Sequence, residues 1–159
     1  MFMMVLIVYD SHTGNTEKMA QAVSEGVESE GVEVAVKRVE EATVGELRDV
    51  HALILGSPVY YGLPSAKMKV YIDDTAEIHS ELVGKVGGAF ASAGGLHMGA
   101  ETTLVALNQA LMIHGMIVQG EEGWNHYGAA SMGAPDDRDK ETCRKLGSRV
   151  ARLVKRLHG

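Results

Sequence analysis

Apolar runs alternate with helical patterns from end to end of this 159-residue chain. Residues 3–9 read as a central strand buried on both faces. Residues 15–30 follow as a helix that ends near Gly31, and 32–39, alternating apolar and polar, as an edge strand. A short helical turn at 43–49 leads to a third strand at 51–57. A helix at 65–78 follows Pro64, a residue suited to the start of a helix. The fourth strand is 85–91, and a helix at 99–113 has Leu104, Leu107, Leu111 and Met112 on its inner face. The fifth strand is 115–119. A loop with Trp124, His126 and Tyr127 then leads to a last helix at 136–157, striped with Leu146, Val150, Leu153 and Val154. Five strands and about five helices in strict alternation call for an α/β fold, a doubly wound parallel sheet with helices on both faces. Right-handed crossovers then leave few topologies.

The length suits one domain over 1–159, and no linker, repeat or low-complexity tract divides it. With 21 acidic against 15 basic residues the net charge is −6, which argues against a nucleic-acid partner that relies on phosphate neutralisation. The same charge is compatible with docking onto a basic protein. The single cysteine, Cys143, excludes an intramolecular disulfide and a cysteine-ligated iron–sulfur or zinc site. It lies in a charged helical stretch and reads as a bystander thiol. Met1 to Val8 are too short for a signal peptide and carry no basic segment, and no apolar run reaches transmembrane length. The expected location is cytoplasmic.

The first strand stops at Tyr9-Asp10-Ser11-His12-Thr13-Gly14-Asn15-Thr16-Glu17, where a helix opens. Such a junction is a phosphate cradle: backbone N–H groups and hydroxyls converge on one spot, and the helix N-terminus adds partial positive charge. No Gly-x4-Gly-Lys-Ser/Thr and no Gly-x-Gly-x-x-Gly is present. Ser11, Thr13, Asn15 and Thr16, with no cation among them, suit a single phosphate monoester. An ordinary N-capped helix is the competing reading of the same residues.

Two further strand ends are unusual. Gly56-Ser57-Pro58-Val59-Tyr60-Tyr61-Gly62-Leu63-Pro64 sets two tyrosines between stiffening prolines and glycines, either as a wall for a planar ring or as a rigid turn whose tyrosines merely pack. Ala91-Ser92-Ala93-Gly94-Gly95-Leu96-His97-Met98-Gly99 has small residues that let backbone amides approach a ring edge. His97, His114 and His126 form no metal motif. Each could donate a proton near a reduced ring, while a structural or solvated role is the simpler reading.

These loops, in this order, resemble the flavodoxin-like FMN proteins. Ser11 to Glu17 is similar to the phosphate loop of short-chain flavodoxins. Gly56 to Gly62 with Met68 to Asp73, Ser92 to Thr103, His114 to Val118, and His126 to Ala129 resemble the WrbA-type NAD(P)H:quinone oxidoreductases. The resemblance covers nearly the whole chain. It implies a flavodoxin-like sheet of order 2-1-3-4-5 with its ligand at the switch between the first and third strands, the arrangement for which flavodoxin is the standard example. It further implies that Ser11, His12, Thr13, Gly14, Asn15 and Thr16 hold the FMN phosphate. Pro58, Val59, Tyr60, Tyr61 and Gly62 would border the isoalloxazine and ribityl chain. Ser92, Ala93, Gly94 and Gly95 would meet the polar ring edge, and His114 would be a further flavin contact. The activity implied is electron transfer from NAD(P)H through FMN to a quinone-type acceptor. The alternative is a flavodoxin that carries electrons between redox protein partners. A homo-oligomer is compatible with either. The WrbA-type chains carry segments that this chain lacks, with only Glu40 to Val50 between the second and third strands.

Overall fold

The computed structural model describes residues 2–159; Met1, included in the single-domain reading, lies outside the described residues. The elements run β1 (Met4–Tyr9), α1 (Asn15–Glu28), β2 (Glu33–Arg38), β3 (Ala52–Tyr60), β4 (Leu63–Pro64), α2 (Ala66–Asp74), β5 (Val86–Ala93), α3 (Ala100–Ile113), β6 (Ile117–Val118), β7 (Ala129–Met132) and α4 (Asp137–His158), with 3-10 turns at Val44–Arg48 and Thr75–Ile78.

The parallel sheet is ordered β2-β1-β3-β5, with β6 and β7 sharing the far edge beside β5. Taking β6 and β7 as one interrupted strand, this is the 2-1-3-4-5 order, a flavodoxin-like fold. Side-chain alternation divides the core in two. Val5, Ile7 and Tyr9 of β1 pack with Met19 and Val23 of α1 and with Leu146 and Val150 of α4. Leu6 and Val8 pack on the other face with Met68 and Tyr71 of α2 and Leu104, Leu107 and Leu111 of α3. None of the described helices is long and apolar enough to cross a membrane.

Several boundaries differ from the sequence reading. The fifth strand is not continuous: Gln119 to Gly123 is too polar and glycine-rich to extend an apolar edge, and the strand resumes at Ala129–Met132. The third strand runs on to Tyr60 and folds back antiparallel onto β4, so Pro58 to Tyr60 are strand rather than loop. The fourth reaches Ala93. Helix 65–78 ends at Asp74 and tightens into the 3-10 turn, where the Thr75 hydroxyl donates to the Ile72 carbonyl (2.6 Å). Among the described residues four α-helices stand where about five were expected, because the helical turn expected at 43–49 is the 3-10 segment Val44–Arg48. Met112 is exposed, because α3 is apolar almost all round and its periodicity leaves the inner face ambiguous. Cys143 is buried, and burial pushes its thiol up to about 12, which keeps it unreactive at neutral pH.

Candidate functional site

β1, β3, β5 and β7 all end on one edge of the sheet, and the loops leaving them meet there. In the first loop, Gly14 has a φ of 88° and α1 starts without a side-chain cap at that residue. Ser11 Oγ instead accepts the N–H groups of Gly14 (3.1 Å) and Glu17 (3.4 Å). Among the described residues, the intervening N–H groups of Asn15 and Thr16 have no protein acceptor. They are the open donors of a helix start, where an anion is favoured. Thr13 and His12 are exposed at the mouth, and Thr16 is buried below it.

Sequence reasoning missed the brace behind this loop. The Arg38 guanidinium donates to the Ser11 carbonyl (3.1 Å) and to Glu17 (3.2 Å), and lies 5.6 Å from the centre of the Tyr9 ring. Tyr9 in turn donates to Glu17 (3.2 Å); burial and the Glu17 carboxylate raise its phenol above the ordinary value. The available signal was the β1–β2 register, which sets Arg38 opposite Tyr9. Also missed was Asp10, which is 1% exposed at the end of β1 with neither carboxylate oxygen hydrogen-bonded.

In the second loop, Tyr61 (φ 51°) and Gly62 (φ 77°) both lie in the left-handed region between the paired Tyr60 and Leu63. This is a two-residue type I′ hairpin turn. It projects the Tyr61 ring fully into solvent, while Tyr60 is half-exposed and meets the His12 ring edge-on at 5.6 Å. Burial, then the Asp10 carboxylate, raises the Tyr60 phenol above its ordinary value. The hairpin base is fixed by Ser57 Oγ, which accepts the Ser65 N–H (2.9 Å) and donates to the Pro58 carbonyl (2.8 Å). Val59 is half-buried and pairs with Pro64.

The third loop is bound to both others. Ser92 Oγ and Thr16 Oγ1 share a buried 2.8 Å hydrogen bond. Thr102 Oγ1 donates to the carbonyls of Gly62 (2.8 Å) and Gly99 (3.0 Å). Gly99 (φ 106°) sits so close to Gly62 that a Cβ there would lie 2.5 Å from the Gly62 Cα. Ala93 is buried, its carbonyl accepting the Gly133 N–H (2.7 Å), whereas Gly94 is exposed and Gly95 half-buried. Leu96, Met98 and Met132 add an exposed apolar collar. An open cavity of about 300 Å³ lies between His97 on the 94–99 loop and β7.

Ser11 to Thr16, Pro58 to Gly62 and Ser92 to Gly95 are thus brought together on one edge. His114 is not. α3 carries the chain back across the sheet, so His114 ends beside Gly84 and Lys85 at the start of β5, with Nε2 2.7 Å from Thr75 Oγ1. Within one chain the flavin contact expected of His114 is therefore corrected: helix geometry places it at the opposite end. His126 likewise lies apart, its Nδ1 facing the Glu121 carbonyl at 2.9 Å.

Comparison with known proteins agrees with this architecture. The family model described as Flavodoxin matches residues 7–134. A protein of Aquifex aeolicus named flavodoxin is 42% identical, over 94% of this chain and 86% of its own. One of Archaeoglobus fulgidus named NAD(P)H dehydrogenase (quinone) is 37% identical, over 96% and 98%. The crystal structure of a flavodoxin, WrbA-like protein from Agrobacterium tumefaciens superposes with a TM-score of 0.84 at 26% identity, covering 98% of this chain and 99% of that one.

Proposed function

This chain belongs to the flavodoxin family, whose members bind FMN, and on that premise we propose that it holds FMN at the carboxyl edge of the sheet and passes electrons from NAD(P)H to a quinone-type acceptor. The observation that carries the cofactor reading is the set of unsatisfied groups at this edge. The free N–H groups of Asn15 and Thr16 are donors suited to a phosphate. The unpaired Asp10 oxygens are acceptors suited to hydroxyl groups. A phosphate joined to a polyol and a planar ring presents complementary groups of both kinds, and Tyr60 and Tyr61 offer aromatic surface for the ring.

In this reading Ser11 orders the cradle, Arg38 braces it from behind, and Ser92 to Gly95 border the ring edge. Bound FMN supplies the hydride and electron chemistry that side chains lack. The protein would orient the cofactor, and the exposed Leu96, Met98 and Met132 would line the approach to it. The cavity beside His97 favours a small-molecule acceptor, as does similarity to the quinone dehydrogenase over nearly the full length of both chains. A second reading, an electron carrier between proteins, rests on the more identical relative named flavodoxin.

An anaerobic visible-absorbance titration of the FMN-loaded protein with NADPH, then NADH, separates them. Bleaching reversed by a quinone is the expected result. A spectrum that bleaches only with dithionite favours the carrier. Colourless protein that takes up no added FMN overturns both.

A further inference from the structure

The loop 119–128 that interrupts the far sheet edge leaves an open cavity of about 310 Å³ against α4. The loop is stiffened from within. The Glu121 carboxylate accepts the N–H groups of Gly123 (3.1 Å) and Asn125 (2.8 Å), and Asn108 Nδ2 of α3 donates to the Tyr127 carbonyl (2.8 Å). This scaffold holds Trp124, the single tryptophan of the chain, at the cavity rim with 90% of its surface exposed. A large aromatic held in water on an ordered loop marks a contact surface.

The opposite wall is basic. Arg138, Lys145 and Arg149 recur at intervals of seven and four along one face of α4. Among the described residues none of the three makes an ion pair. Two acids share the lining: Glu121, which accepts its two loop N–H groups, and Glu141, paired with Arg144 (3.6 Å). Arg149 is partly buried with no acceptor on its Nε, and burial lowers its guanidinium below the ordinary value although Glu121 and Glu122 oppose this. Glu121 and Glu122 offset only part of that desolvation, and the Nε donor stays without an acceptor, which is costly. α4 concentrates this charge: it holds eight Lys and Arg residues and three acids, +5 in a chain of net −6.

We propose that this cavity is a nucleotide site, with phosphate held by Arg138, Lys145 and Arg149 and the base stacked on Trp124. Three cations without ion-pair partners outnumber the two acids of the lining and favour an anion, the indole suits a planar ring, and the volume sits at the lower end of the roughly 300–1,000 Å³ of small-molecule sites. The cavity shares no residue with the cradle at Ser11 to Thr16, so it stands whether or not the cofactor reading does.

Trp124 is its own reporter. The purified protein, with whatever cofactor it carries, is titrated with ADP, pyrophosphate and adenosine while tryptophan emission is followed. Saturable quenching by ADP is expected below about 1 mM, with ADP binding more tightly than either fragment. Arg149→Gln should weaken ADP by about tenfold or more, and Ser11→Ala should leave it unchanged. Lys145→Ala, at an exposed position, gives the same test if Arg149→Gln fails to fold. No saturable change, equal affinity in the α4 variants, or ADP binding no tighter than pyrophosphate overturns the proposal. So does a loss in Ser11→Ala, which would place the nucleotide in the cradle.

Discussion

Thr16 Oγ1 and Ser92 Oγ lie 2.8 Å apart in a buried hydrogen bond between residues 76 positions apart in sequence. The bond fastens the first turn of α1 to the end of β5, so the loop that would hold a phosphate and the loop that would meet a ring edge move as one unit. Across the site, Thr102 fastens the hairpin at Gly62 to the start of α3 in the same manner. The candidate site is a set of loops tied to one another by hydroxyl groups.

Thr16→Val removes one hydroxyl with little change of shape and leaves Ser92 Oγ buried without a partner. Urea unfolding should show a loss of about 1–3 kcal/mol. Thr16→Val/Ser92→Ala should cost less than the two single changes summed, because the pair is one interaction. Strict additivity would mean that the bond does not couple the loops.

Tyr61 occupies a left-handed position that an L side chain adopts at a cost of about 1–2 kcal/mol. Its ring touches nothing that compensates. Tyr61→Asn keeps the type I′ turn and relieves the strain, so the apoprotein should gain about 0.5–1 kcal/mol in thermal unfolding. Flavin titration should show weaker binding, by about 0.5–1.5 kcal/mol if Tyr61 packs on the ring. Unchanged flavin affinity would remove Tyr61 from the wall.

What the sequence made legible depended on how local the cause was. β1, β3 and β5 are apolar on both faces, and the buried run declares each of them. Ala129-Ala130-Ser131-Met132 is a strand because it lies beside β5, not because its side chains favour one, so no pattern announced it. The hairpin at Tyr61 was hidden because a tyrosine stands where such turns usually carry Asn or Gly. Ser11 to Thr16 could be read as a cradle since strand, turn and helix start are contiguous. Arg38 could not, because its contact with Ser11 arises from strand register. His114 stands adjacent to the site only in a resemblance; the length of α3 carries it away.

Gly14 and Gly99 both have positive φ, but only Gly99 is crowded: a Cβ at Gly14 meets nothing within 4 Å, while one at Gly99 meets Gly62 backbone. Gly14→Ala should therefore cost about 1 kcal/mol, the conformational term alone. Gly99→Ala should cost more than 2 kcal/mol and push the hairpin away from α3. Equal costs in urea unfolding would show that the Gly62–Gly99 approach relaxes freely.

His114 should give the protein a pH-dependent stability. The single Thr75 hydroxyl proton goes to the Ile72 carbonyl at 2.6 Å. The 2.7 Å contact with His114 must then be Nε2–H donating to Thr75 Oγ1, which leaves Nδ1 bare. Nδ1 is buried without a partner, so a second proton there would be charged, desolvated and unbonded. Burial first, and His79 beside it second, lower the ring below its ordinary 6.5. The unfolded chain therefore binds this proton more readily than the folded one. The stabilising contribution is complete above about pH 6.5 and falls away as pH drops through and below that value. His114→Gln keeps a donor for Thr75 and cannot take up the proton, so its urea-unfolding free energy should decline less than wild type between about pH 7 and pH 5. Because His51 and the other titrating groups are common to both proteins, the difference between the two curves isolates this one ring. Parallel curves, or a wild type that gains stability over the same range relative to the variant, would show that the bare nitrogen accommodates its proton.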